Sequence, residues 1–204
     1  MKNPGPMSRA MAFADAALTV DYVQAPDPHV LLSADTLAVF GFGNDAPHCD
    51  DPRYLRVPLQ PYGTASFERW RSAGPVDCGR DGDPKTGQIR WSSDGQLTFG
   101  VIEIDEPAGD HANHSDICEA AERAYTQLVD FVSGSRTPHL LRVWNYLDAI
   151  NLGDGDEERY RRFCEGRARG MVDFHDASYP AATAIGGHGD ARRLLVYGIA
   201  ARNN

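Results

Sequence analysis

Residues 142–170, RVWNYLDAINLGDGDEERYRRFCEGRARG, constrain the fold of this chain more than any other stretch. Leu140, Arg142, Trp144 and Tyr146 alternate with Leu141, Val143, Asn145 and Leu147, which predicts a strand with two unlike faces. A Gly-Asp-Gly-Asp turn follows, and Asp156 is placed to cap a helix whose first turn carries Glu157 and Glu158. At about 100° per residue, Tyr160, Phe163, Cys164, Ala168 and Met171 form one apolar stripe. The same spacing sets Arg167 inside the stripe and Arg161 on its shoulder, with Arg159, Arg162 and Arg169 facing outward. A guanidinium turned inward needs an anion, from the protein or from a ligand.

Around this unit the punctuation residues divide the chain. Pro4, Pro6, Pro26 and Pro28 predict an irregular segment over residues 1–28. Residues 29–33 and 36–43 read as a hairpin. Residues 44–87 are rich in Pro, Gly and Asp and read as a loop insertion or lid, with a short helical segment near 65–72. A second hairpin is expected over 88–92 and 96–105, turning at Ser93-Asp94-Gly95. Asp116 and Glu119 form a capping box before Ile117, Ala121, Ala124, Leu128 and Phe131, which recur on one helical face up to Gly134. Residues 182–186 and 194–200 read as a last hairpin. This order predicts an α+β fold over residues 29–204, a sheet with two helices packed on one face. The uncovered face would carry Arg142, Trp144 and Tyr146, and a patch of that kind is expected to self-associate or to meet another domain.

Composition narrows the partners. A net charge of −9 over 204 residues argues against nucleic acid, whose phosphates require clustered Lys and Arg. Cys49, Cys78, Cys118 and Cys164 share no short spacing and read as reduced thiols of a cytoplasmic protein. Asp15 interrupts the only alanine-rich run near the N-terminus, so neither a signal-peptide core nor a membrane span is expected. His111, His114 and Cys118 fall short of a zinc ligand set, and Asp154 with Asp156 does not follow the calcium-loop pattern. No metal or other cofactor is expected.

The runs PHLLRVWNYLDAIN, ERYRRFCEGRA and YPAATAIG resemble the chorismatases. Upstream, LAVFGFG (37–43), FERW (67–70) and GQIRWSSDGQLTFGVIEIDE (87–106) follow the family in the same order. The resemblance implies a RidA/chorismate-mutase-like sheet and a pocket for chorismate, a small dicarboxylate. It also implies hydrolysis to pyruvate plus a dihydroxycyclohexadiene carboxylate or a hydroxybenzoate. Members of the family continue into a second, similarly folded half that carries the catalytic acid, and that half is absent from the present sequence. The other reading is a catalytically silent RidA-like module that self-associates and binds small carboxylates.

Five residues are candidates for binding substrate. Arg161 and Arg167 would clamp a carboxylate with their planar forks, or else pair with Asp148, Asp173 or Asp176. The resemblance favours the clamp, because the matched helix lines the pocket in chorismatases. Tyr146 and Asn145 can both bond a diacid, but they occupy opposite faces of one strand. Tyr146 is the expected contact, while Asn145 is equally readable as a satisfied core amide. Thr183 sits where a strand begins and offers a hydroxyl, or serves only as a β-branched strand residue.

Overall fold

The computed structural model describes residues 17–43, 45–60, 66–83, 87–106, 115–172, 179–187 and 192–203. Among the described residues ten strands form two sheets, and two helices lie on one of them. The smaller sheet is built from β1 (Leu18–Val23), β2 (Thr36–Phe42), β3 (Tyr54–Val57) and β4 (Phe67–Ser72), in the order β1-β4-β2-β3. The larger contains β5 (Asp77–Asp83), β6 (Gly87–Ser93), β7 (Leu97–Asp105), β8 (His139–Asp148), β9 (Ala181–Gly187) and β10 (Arg193–Ala201), in the order β5-β6-β7-β10-β8-β9. Helices α1 (Ser115–Ser133) and α2 (Arg159–Gly170) complete the α+β architecture expected from the sequence.

Several local expectations fail for identifiable reasons. Residues 1–28 were expected to be irregular, yet Leu18–Val23 is a strand paired antiparallel to β4. Residues 29–33 do not form a strand: Pro28–Leu31 is a 3₁₀ turn whose first amides are capped by Asp27, which accepts from the His29 N–H at 2.8 Å. Proline at its start favours this turn, since the missing N–H is not needed there. The 44–87 insertion is not a loop, because it supplies β3, β4 and β5. Residues 67–72 alternate Phe67, Arg69, Arg71 with Glu68, Trp70, Ser72 and are extended rather than helical. The last two strands are not a hairpin either: β9 runs parallel to β8, while β10 inserts between β7 and β8.

The hairpin of β6 and β7 stands as expected, with Gly95 at φ +80° and the Asp94 carboxylate accepting from the Gln96 and Leu97 amides at 2.8 and 2.7 Å. On α1 the apolar residues recur at helical spacing, and Ile117, Ala121, Ala124 and Leu128 are fully withdrawn from solvent. Position 116 contributes no described side chain, so the Asp116 box lies outside the description. Against these residues pack Ile102, Ile104, Val143, Leu147, Leu194 and Val196 of the larger sheet, forming the helix-side core.

The faces of β8 differ from simple alternation at one end. Arg142 pairs with Ile199 but Leu140 pairs with Ala200, so Leu141 is an extra, bulged residue. Leu140 therefore joins the helix-side core rather than the Arg142 face, and Leu141 is exposed. Beyond the bulge the expected split holds.

The buried face of α2 is rotated from the one read in the sequence. Arg159, Phe163, Gly166 and Gly170 are buried, while Tyr160 is 42% exposed and Ala168 faces solvent. Two glycines decide this rotation. A Cβ at Gly166 would collide with the Cys118 carbonyl oxygen, and one at Gly170 would stand 2.5 Å from the Glu122 carbonyl oxygen. The backbones of α1 and α2 approach so closely that only glycine fits at the crossing. Asp156 does not cap α2; the N-cap is Glu158, and Asp156 lies in a preceding 3₁₀ turn.

The face expected to be bare is covered. Leu37, Ala38, Phe40, Leu55, Val57 and Trp70 of the smaller sheet pack on Leu97, Phe99, Val101, Leu195, Tyr197 and Ile199 of the larger. The side-chain hydroxyl of Ser92 stitches the two sheets by donating to the Leu37 carbonyl. Thus the molecule is layered as sheet, sheet, helices. Among the described residues, no helix is long and apolar enough to cross a membrane.

Candidate functional site

At the seam between the sheets, on the side of the edge strand β9, aromatic residues form a continuous column. Trp144 of β8 stacks on Tyr197 of β10 with centroids 5.0 Å apart and planes 16° apart. Tyr197 stacks in turn on Tyr146, at 5.9 Å and 15°. Strand pairing dictates this arrangement, since Tyr197 is the partner of Trp144 and both side chains point toward the smaller sheet. From that sheet Trp70 reaches to 5.7 Å from Trp144, and its indole N–H donates to the Glu68 carboxylate at 2.6 Å.

The two phenols of the column approach at 3.5 Å, which is long for an O–H···O bond. Burial raises the pKa of Tyr146, and burial together with the Tyr146 contact raises that of Tyr197 far above its ordinary value. Both therefore stay protonated at neutral pH. They can donate hydrogen bonds to a ligand oxygen but cannot act as bases.

Arg142 occupies the open end of the column. Its Cζ lies 5.0 Å from the centroid of Trp144, and Nη2 donates to the Thr183 hydroxyl at 3.2 Å. Thr183 is held from the other side of the sheet as well, because its carbonyl accepts from Asn145 Nδ2 at 3.0 Å. The Asn145 side-chain oxygen Oδ1 in turn accepts from the buried Tyr125 hydroxyl at 2.8 Å. Asn145 is thus a core amide with its capacity committed inside the protein.

The five residues singled out in the sequence are consequently divided. Tyr146 and Thr183 share the seam face. Asn145 and Arg167 belong to the helix side, where Arg167 Cζ lies 5.4 Å from the centroid of the Tyr125 ring. Arg167 is half-buried at the margin of the α2 stripe, and its Nε is buried without a hydrogen-bond partner among the described residues. Asp173 and Asp176, considered as its partners, lie outside the described residues, as do His111 and His114. Arg161 is exposed and paired with Asp156 at 2.7 Å.

Sequence reasoning missed Tyr197, Trp70 and Glu68. Alternation in LLVYGIA places Tyr197 on the face of Leu195 and Ile199, but only the crossover of β10 brings it beside Trp144. It also placed Arg159 in solvent. The structure instead buries Arg159, whose two terminal nitrogens donate to Glu106 at 2.9 and 2.6 Å.

The fold is thus an α+β layer with two helices on one face of the larger sheet and an aromatic seam on the other. Residues 68–200 match the family described as "Chorismatase FkbO/Hyg5-like, N-terminal", and the chain belongs to the chorismatase family. It is 34% identical over 139 residues to a chorismatase of Streptomyces rapamycinicus, an alignment covering 66% of this chain and 37% of that protein. A chorismatase of Streptomyces hygroscopicus is 34% identical over 128 residues, covering 61% of this chain and 34% of the relative. A chorismatase crystal structure superposes with a TM-score of 0.70 at 28% identity, covering 92% of this chain and 55% of that one. The matches thus span between about a third and about half of the length of these relatives.

Proposed function

We propose that this chain is the N-terminal part of a chorismatase-like enzyme that hydrolyses chorismate to pyruvate and either a dihydroxycyclohexadiene carboxylate or a hydroxybenzoate. The observation that carries the reading is the family match over residues 68–200, which coincides with the elements that build the aromatic seam. In this reading Tyr146 and Thr183 contact the substrate from the seam face. Asn145 and Arg167 support Thr183 and the sheet from the helix side. Arg161 reaches an anion only by giving up Asp156.

The reaction protonates the methylene carbon of the enolpyruvyl ether, which leaves an oxocarbenium-like carbon that water attacks. The resulting hemiketal then collapses: the bond from that carbon to the ring oxygen breaks, the oxygen takes a proton, and pyruvate departs to leave the dihydroxycyclohexadiene carboxylate, from which loss of one water gives the hydroxybenzoate. Buried phenols held neutral suit this chemistry as donors to the substrate's carboxylate and hydroxyl oxygens. Proton delivery to carbon requires a carboxylic acid held protonated, a role assigned to no residue of this site.

The test is to mix the purified chain with chorismate and to follow binding by calorimetry and pyruvate by a coupled assay. Binding without sustained pyruvate release is the expected result. No binding at millimolar chorismate overturns the reading. Multiple turnovers would put the acid within this chain, with Glu103 and Glu165 the first carboxylates to replace.

A further inference from the structure

We infer that Arg142 is an anion-binding residue that anchors the carboxylate of a flat, unsaturated ring acid against Trp144. The inference rests on the chorismate reading for its ligand class, but it assigns the anchor to β8 rather than to the arginines of α2. Three observations carry it.

First, the guanidinium is already oriented. One of its faces lies over the Trp144 ring at 5.0 Å, and one of its N–H groups is spent on the Thr183 hydroxyl. A long side chain fixed in this way loses less freedom when it binds than a free one does, which is the usual obstacle to recognition by an exposed arginine. Trp144 is itself fixed between Trp70 and Tyr197, so the platform is rigid down to the buried end of the column. Thr183 is fixed through Asn145 and Tyr125.

Second, the charge is uncommitted. Among the described residues no carboxylate pairs with Arg142, although arginines elsewhere on the same sheet face are paired. Arg90 is held by Glu103 at 2.5 Å, and Arg193 by Asp105 at 2.7 Å. On α2, Arg159 and Arg161 are held by Glu106 and Asp156, and Arg162 by Glu165. A protein of net charge −9 has acidic residues to spare, so an arginine that is shaped by an indole and a hydroxyl but paired with no carboxylate among the described residues is placed for an anion from outside.

Third, the surroundings select the shape of the anion. Half-buried Trp144 lies against the guanidinium, and two residues beyond Trp144 on the same face come Tyr146, kept protonated, and its cross-strand partner, half-buried Ile185. An indole next to a fork of N–H donors suits a carboxylate whose carbon skeleton is planar and apolar, and a phenol beyond it can donate to an ether or hydroxyl oxygen of the same ring.

Calorimetric titration of the full 204-residue chain with chorismate, with benzoate and with inorganic phosphate tests this, using Arg142→Met, Thr183→Val and the control Arg162→Met. Arg142→Met is expected to weaken both ring acids by about tenfold or more, the scale of one charge-assisted bond, with an unchanged melting temperature. Thr183→Val is expected to weaken them by less, and Arg162→Met not at all. Parent-like binding in Arg142→Met overturns the inference and leaves the chorismate reading standing. Benzoate binding lost in Arg142→Met, with no chorismate binding in the parent, supports the anchor and overturns the chorismate reading. Phosphate bound as tightly as benzoate overturns the ring-acid assignment, and binding of neither acid overturns both readings.

Discussion

Arg159 and Glu106 form a two-pronged ion pair from which solvent is almost entirely excluded, the two side chains being 2% and 0% exposed. The pair joins the first turn of α2 to the end of β7, while Arg159 Nε also donates to the Asp148 carbonyl at the end of β8 at 3.1 Å. Three elements thus meet at one guanidinium. Removing one charge strands the other in the interior, so Arg159→Met or Glu106→Leu alone should cost about 3–5 kcal/mol in urea denaturation. The double replacement should cost less than either single one. A loss of under about 1 kcal/mol in Arg159→Met, the size of an ordinary surface pair, would refute the burial of this pair.

The crossing of α1 over α2 depends on the absence of side chains at two positions. Gly166→Ala and Gly170→Ala should each force the helices apart and destabilise the fold by about 1–3 kcal/mol or more, the cost of overpacking. Gly134→Ala, beyond the end of α1 and with its nearest neighbour at 3.4 Å, is the comparison. Thermal melts that rank Gly134→Ala as the most harmful would contradict the helix crossing.

Trp70 is the rivet between the sheets, with ring centroids 4.9 Å from Phe40 and 5.9 Å from Phe99 in addition to Trp144. Trp70→Ala should cost about 3–5 kcal/mol and expose the seam face of the larger sheet. Sedimentation should then show the variant self-associating more than the parent, whose seam face is covered.

The buried Tyr125 phenol gives the fold an alkaline limit. Burial, opposed by the charge of Arg167 and the bond to Asn145, pushes its pKa from 10.0 up to about 12. Because the neutral phenol is the form the fold prefers, its contribution is complete below pH 10. It is lost as the pH rises from 10 through about 12, and amounts to about 3 kcal/mol for a shift of this size. Circular dichroism and tyrosinate absorbance should therefore change together in that window. Tyrosinate absorbance that rises fully near pH 10 in a still-folded protein would remove this limit.

What was legible in the sequence follows the range of the interactions involved. Helix α1 could be read because its stripe is local, and the β6–β7 hairpin because Asp94 and Gly95 determine a tight turn. The split of Tyr146 from Asn145 was legible because strand alternation is local too. The smaller sheet was not, since β3 and β4, like β5 of the larger sheet, sit in a stretch whose Pro, Gly and Asp mark frequent turns without revealing what lies between them. The burial of Arg159 was hidden because a charged residue at a helix start reads as solvent-facing until its partner is known, and Glu106 is 53 residues away. Family resemblance supplied the expected chemistry of the pocket but not the arrangement of Arg142, Trp144 and Tyr197, which arises only when β10 enters the sheet.

That entry has a consequence for how the protein is made. Strand β10 is the last of the described strands to leave the ribosome, yet it lies between β7 and β8. Until it arrives, the larger sheet is two separate pieces with two open apolar edges, α1 has no continuous surface to rest on, and Trp144 lacks its stacking partner. Each contact that closes the sheet joins residues far apart in sequence, as when Ala201 meets Leu97. Until β10 has emerged, the nascent chain should remain open to strand pairing with other chains, so chaperone capacity during translation should limit the yield of folded protein.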